Sequence, residues 1–165
     1  MEKVHVVYGS TTGTTETIAL RLANDFGTRA INIAGADVSA FDAEVLLLGS
    51  STWGCGDLQD DWYGGLDLLG NLDLSGKKVA VFGCGDSVGF PDTFCDALAI
   101  LADKAVERGA ELIGRLPATA FPGVSSRCLQ DGRLIGLALD ELNEPGETDG
   151  RIAAFEESVR KDVAL

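Results

Sequence analysis

Short runs of apolar, often β-branched residues alternate along this chain with stretches whose apolar residues recur every three or four positions. VHVVY at 4–8, EVLLLG at 44–49 and KVAVFG at 78–83 are too short for helices and carry almost no polar alternation. They read as strands covered on both faces. Between and after them, Ile18, Ala19, Leu22, Ala23 and Phe26 trace a helical face that Gly27 stops. Leu98, Leu101, Ala102 and Ala105 trace a second helix, ended by Gly109. Ile152, Phe155 and Val159 trace a third, with Thr148 and Asp149 as candidate caps. Residues 30–33 read as a weaker strand, 62–69 as a short helix and 111–116 as a further strand. This alternation points to an α/β fold, a doubly wound parallel sheet with helices on both faces. One segment breaks the pattern: TAFPGVSSRCLQDG, rich in Pro, Gly and Ser, closes on the turn signal Asp131-Gly132. We read residues 117–132 as an excursion that splits the last strand, and 1–165 as one domain.

Composition removes several classes of function. A net charge of -13 repels nucleic acid and anionic membranes and leaves soluble partners with basic docking faces. The N-terminus enters a strand within three residues, with no basic region or long apolar stretch, so neither a targeting segment nor a membrane span is expected. Four widely spaced cysteines with no CxxC, and a single histidine, argue against a zinc site and a disulfide framework. A reducing, cytoplasmic setting is the expectation.

In an open parallel sheet the ligand lies beyond the carboxyl ends of the strands, so the loops there carry the function. The first, GSTTGTTE, has the glycines and hydroxyls of a phosphate nest but lacks the lysine of GxxxxGK[ST]. Backbone N–H groups at a helix start, with hydroxyls, suit a phosphate that is gripped and never transferred. The second sets Trp53 among Ser51, Thr52 and Gly54; the third presents Phe90 between Gly89 and Pro91. A phosphate nest and two loop aromatics suit a flat, phosphorylated, partly apolar ligand, and flavin mononucleotide (FMN) fits. Gly83, Gly85 and Gly89 spell GxGxxxG, which is not dinucleotide-binding spacing. No nucleophile–base pair, acid–base pair or metal set is visible, which suggests a carrier in which a cofactor supplies the chemistry.

STTGTTE, STWGCGDLQDDW, GCGDSVGFPDTF and LIGLALDELNEPGETDGRI, in this order and spacing, resemble the flavodoxin family over nearly the whole length. The segment before LIGLALD resembles its long-chain subgroup. The resemblance, rather than the pattern, implies five strands in the order 2-1-3-4-5 with FMN at the switch point. It implies that Ser10, Thr11, Thr12, Gly13, Thr14 and Thr15 bind the phosphate. Thr52, Trp53, Gly54 and Gly56 would flank the isoalloxazine, with Trp53 on the inner face. Cys84, Gly85 and Asp86 would line the pyrimidine edge and Phe90, where the family usually has tyrosine, the outer face. Ser51, Cys55, Phe94 and Cys95 fall in the same tracts and join the expected FMN-binding set.

The implied function is that of a low-potential one-electron carrier using the semiquinone/hydroquinone couple. Gly54, free to adopt either backbone state, would let a carbonyl meet the N5–H of the neutral semiquinone. Asp57, Asp60, Asp61, Asp86 and Asp92 would disfavour the second electron electrostatically. A phosphate loop without lysine avoids raising that potential. Implied partners are NADPH-dependent reductases, oxoacid oxidoreductases, hydrogenase or nitrogenase, met by a monomer. The alternative is an FMN-dependent NAD(P)H or quinone reductase on the same fold.

Overall fold

The computed structural model describes residues 2–164. Strand β1 (Glu2–Gly9) leads through a loop into α1 (Thr14–Asp25), then β2 (Ala30–Asn32) and β3 (Ala43–Ser50). A short hairpin, β4 (Thr52–Trp53) and β5 (Asp57–Leu58), precedes α2 (Asp61–Gly70). Next come β6 (Lys78–Cys84), α3 (Asp96–Glu107) and β7 (Glu111–Leu112). The excursion holds β8 (Leu116–Pro117), β9 (Leu129–Gln130) and β10 (Arg133–Leu134), after which β11 (Leu137–Leu139) and α4 (Thr148–Val163) complete the chain.

The main sheet runs β2-β1-β3-β6 and then β11, with β7 beside the other end of β6. All its pairs are parallel: Val6 lies opposite Ala30 and Leu47, and Leu47 opposite Ala80. The fifth position is shared, β7 pairing at Lys78 and Val79 and β11 from Phe82 to Cys84. The split strand is therefore real, and the excursion folds as a small antiparallel sheet in the order β8-β10-β9. Asp131 and Gly132 make the β9–β10 turn with positive φ at both residues. The expected strand at 111–116 is shorter than its apolar run. Gly114, at φ 72, turns the chain off the sheet edge, and Leu116 pairs with Leu134 instead.

Period-2 geometry sorts the core into two layers. Val4, Val6 and Tyr8 of β1, with Val45 and Leu47 of β3, meet Ile18 and Leu22 of α1 and Ile152, Phe155 and Val159 of α4. Val7, Leu46, Leu48, Val79 and Val81 face the other way, against Leu69 of α2 and Leu98 and Leu101 of α3. Each fully buried aliphatic side chain contributes about 1.5–3 kcal/mol. Strand order reverses between β1 and β3, so a crevice opens there beyond the strand ends.

Candidate functional site

A cavity of about 550 Å³ lies beyond the carboxyl ends of the central strands, within the ~300–1,000 Å³ typical of ligand pockets. Its first wall is the loop between β1 and α1. Gly13 occupies the N-cap at φ 93, a conformation open to glycine, and no side chain caps the helix. The first-turn N–H groups have no acceptor within the helix. Thr12 and Thr14 line the cavity. Thr15 is buried, and its Oγ1 has no hydrogen-bond partner. Two other hydroxyls bond within the loops: Ser10 Oγ accepts from the Gly13 N–H at 3.1 Å, and Thr11 Oγ1 accepts from Gln59 Nε2 at 3.2 Å.

The second wall is the β4–β5 hairpin, in which Trp53 sits opposite Asp57. Its turn needs positive φ at Gly54 (54°) and Gly56 (104°). Ser51, Thr52, Trp53 and Gly54 line the cavity, while Cys55, exposed at the tip, and buried Gly56 lie outside its lining. Trp53 is 42% exposed and donates through Nε1 to Ser51 Oγ at 2.8 Å. Thr52 Oγ1 accepts from the Ala97 N–H at 3.1 Å and so caps the first turn of α3.

The third wall follows β6. Gly85, Asp86, Phe90, Phe94 and Cys95 all line the cavity, as does Cys84 at the strand end. Phe90 is 53% exposed at the mouth. Asp86 accepts from the N–H groups of Gly89 (2.7 Å) and Val88 (3.1 Å) and from Asn143 Nδ2 (2.8 Å). These bonds, Gly89 foremost, hold its carboxyl below the usual range. Burial pushes the Cys84 thiol up to about 12 and raises Cys95 as well, so both present neutral sulfur. Cys95 adopts φ 53 just before α3, a left-handed conformation that costs a non-glycine residue about 1–3 kcal/mol.

Thr93, Glu141 and Leu142 complete the lining and were missed in the sequence. Glu141 and Leu142 follow β11, and a strand-end position was their only signal. The same turn holds Asp140, which has no exposed surface. Its carboxylate accepts from the Ser87 N–H (3.0 Å), Ser87 Oγ and the Asn143 N–H (2.9 Å). Thr148 begins α4 instead of capping it: Glu147 occupies the N-cap, and the Thr148 hydroxyl donates to Glu141 Oε1.

The residues present fit a phosphorylated, flat cofactor. An uncapped helix start and the hydroxyls of Thr12 and Thr14 in the lining supply oxyanion donors, and no lysine or arginine lines the cavity. Trp53 and Phe90 rim an apolar interior. Among the described residues no group of three His, Cys, Asp or Glu side chains could hold a metal ion.

Known proteins resemble this chain over its length. The family model described as Flavodoxin matches residues 6–155. Flavodoxin from Synechococcus elongatus is 38% identical over 170 residues, covering 100% of both chains. Flavodoxin 1 of Azotobacter vinelandii is 36% identical over 92% of each. The crystal structure of Fusobacterium nucleatum flavodoxin bound to flavin mononucleotide matches with a TM-score of 0.90 at 26% identity, covering 98% of this chain and 99% of that one. With the switch-point cavity, the phosphate-type helix start and these full-length matches together, the chain belongs to the flavodoxin family.

Proposed function

We propose that this protein binds FMN non-covalently in the switch-point cavity and carries single electrons at low potential between redox proteins. The observation that carries the reading is the junction of two features in one cavity, the uncapped α1 start, where Thr12 and Thr14 line it, and the two exposed aromatics. Bound FMN supplies the one-electron redox chemistry. Thr12, Thr14, Thr15 and the first-turn N–H groups hold the phosphate; Trp53 and Phe90 cover the ring faces. Gly54, already at positive φ, lets the backbone beside the ring reorient without Cβ strain.

The chain's charge sets the direction of the potential. Each carboxylate about 10 Å from the cofactor disfavours added negative charge by on the order of 1 kcal/mol at intermediate dielectric. Asp57, Asp86 and Glu141 stand in the loops around the cavity, and no cation in its lining offsets them.

Exposed Trp53, Phe90 and Leu142 line the cavity, and exposed Val88 lies in the same loop as Phe90, amid a surface of strongly acidic balance. This suits brief encounters with soluble reductases or oxidoreductases that present basic docking faces, in the cytoplasm and with the protein as a monomer. No helix among the described residues is long and apolar enough to cross a membrane.

The test is an anaerobic titration with a one-electron reductant, followed by visible absorption. A yellow protein reduced in two resolved one-electron steps supports the reading. A single two-electron step favours a reductase, and failure to bind FMN overturns the proposal.

A further inference from the structure

A separate cavity, of about 270 Å³, opens at the other end of the sheet from the cofactor site. Glu111 lines it and pairs with Lys78 at the start of β6, whereas Cys84, at the end of that strand, lines the cofactor cavity. The length of β6 sets the two about 20 Å apart. Three cations meet here from three parts of the fold: Arg115 just before β8, Arg133 of β10 and Lys161 of α4. Ser158, one turn before Lys161, donates its hydroxyl to the Arg115 carbonyl at 3.2 Å. Arg133 Nη2 donates to the same carbonyl at 3.3 Å.

The charges at this cavity are unbalanced. With 26 acidic against 13 basic side chains, carboxylates able to neutralise a cation are plentiful in this chain. Yet among the described residues none of Arg115, Arg133 and Lys161 forms an ion pair. Both carboxylates of the lining are engaged elsewhere. Glu111 Oε2 lies 4.0 Å from Lys78 Nζ, and Asp162 Oδ2 accepts from the Gly114 N–H at 3.2 Å. Lys78 also donates to the Asp162 carbonyl at 2.7 Å, which offsets the negative end of α4. Arg115 Nη2 donates to the Gln130 carbonyl, and its Nε is buried with no hydrogen-bond partner, so the guanidinium keeps unused donor capacity. Like charges gathered without counter-ions repel one another, and an oxyanion among them removes that cost.

We propose that this cavity is an anion site that takes a phosphate group, free or on a small phosphomonoester, between Arg115, Arg133 and Lys161. Guanidinium forks match pairs of oxygens on a tetrahedral oxyanion, and a lysine adds a mobile point charge. The cavity's size suits a small molecule, and the chain's net charge of -13 repels long polyanions. This site does not depend on the FMN reading of the other cavity. A bound anion ties the C-terminal turn of α4 to the excursion through Arg115 and Arg133. Binding to the folded state alone then raises the melting temperature by mass action.

The experiment uses the FMN-loaded protein, whose phosphate loop is filled, and titrates it calorimetrically with inorganic phosphate or glycerol phosphate. Chloride at matched ionic strength is the reference, and melting temperatures are recorded with each anion. Arg133→Gln and Lys161→Gln are compared with Arg29→Gln, which removes an exposed cation between α1 and β2. All three side chains are exposed and all three changes shift the net charge equally, so neither misfolding nor overall charge separates them. The wild-type protein and Arg29→Gln should bind phosphate saturably and melt higher in it than in chloride. Loss of one charge-assisted bond predicts a dissociation constant raised about three- to tenfold in Arg133→Gln and in Lys161→Gln. Tighter binding of glycerol phosphate assigns the site to a phosphorylated small molecule, and tighter binding of inorganic phosphate assigns it to the free ion. Absence of saturable binding by the wild-type protein would overturn the site. So would wild-type affinity in both cavity variants, or an equal loss in Arg29→Gln. Failure to bind FMN would overturn the cofactor reading alone, and the apoprotein would then take the same titrations.

Discussion

The side-chain amide of Asn143 donates at once to Asp140, at 2.9 and 3.1 Å, and to Asp86, at 2.8 Å. One amide therefore joins the loop after β11 to the loop after β6, across the cavity's mouth. Asp140 has no exposed surface, which raises a carboxyl's pKa, yet bonds from Ser87 and Asn143 overcome this and lower it. A carboxyl lowered by folding stabilises the protein above its unfolded pKa, and that contribution is lost as pH falls through the folded value. Asp140→Ala should destabilise the protein by on the order of 2–3 kcal/mol at neutral pH. It should also flatten the acid limb of a melting-temperature profile, which differential scanning calorimetry would show. An unchanged acid limb would remove Asp140 from this role.

Gly54 tests the backbone device beside the aromatic. A Cβ there would meet Asp57 Oδ2 at 3.4 Å, an ordinary contact, so space does not demand glycine. Its φ of 54° does, because a left-handed residue with a Cβ costs about 1–2 kcal/mol. In the FMN-loaded protein, Gly54→Ala should bring the two one-electron potentials closer together, by up to about 59 mV for each tenfold change in equilibrium. Spectroelectrochemistry reads this directly, and identical potentials would exclude the turn from tuning.

Glu156 on α4 gives a pH effect of opposite sign, far from the cavity. Burial first, then the hydrogen bond and charge of Asp25 on α1, raise its pKa to about 7, against the opposing pull of Arg160 and Arg21. A carboxyl raised by folding contributes stability that is complete below its unfolded value and lost as pH rises through about 7. Glu156→Gln keeps the side chain neutral. Its melting temperature should fall less than that of the wild-type protein between about pH 3.5 and pH 8, about one unit beyond the two ends of that window. Parallel curves would show that Glu156 titrates normally.

What the sequence disclosed followed from how locally each feature is encoded. The strands at 4–8, 44–49 and 78–83 are legible because both faces are buried, so the apolar run is continuous. The β4–β5 hairpin has two-residue strands set by glycine dihedrals, which leave no periodicity to read. In the phosphate loop the hydroxyls announce themselves as a group, but their division is tertiary. Thr11 is bonded by Gln59, forty-eight positions away, while Thr15 is buried without a partner. Glu141 and Leu142 were missed because the turn after β11 carries neither an aromatic nor a hydroxyl cluster. The bonds from Ser125–Arg127 to the third loop join residues about thirty positions apart, a tertiary pairing that local sequence patterns do not carry.

Thr15 offers the sharpest separation of fold from function. Its buried hydroxyl, beside the Cys84 thiol but without a well-formed hydrogen bond, costs the apoprotein up to about 1–3 kcal/mol, a penalty that a phosphate oxygen would relieve. Thr15→Val preserves the branched shape and removes the orphan. The apoprotein should then melt higher, by roughly 2–4 °C per kcal/mol in a chain of this size. FMN should bind about tenfold more weakly, the equivalent of one lost charge-assisted hydrogen bond. These opposite movements distinguish a ligand-directed hydroxyl from a packing defect, because repairing a defect strengthens the fold and leaves cofactor affinity unchanged or improved. Thermal melts of the apoprotein and FMN titration by flavin fluorescence quenching give the two readings. A rise in both stability and affinity would place the phosphate away from Thr15 and on Thr12, Thr14 and the first-turn N–H groups alone.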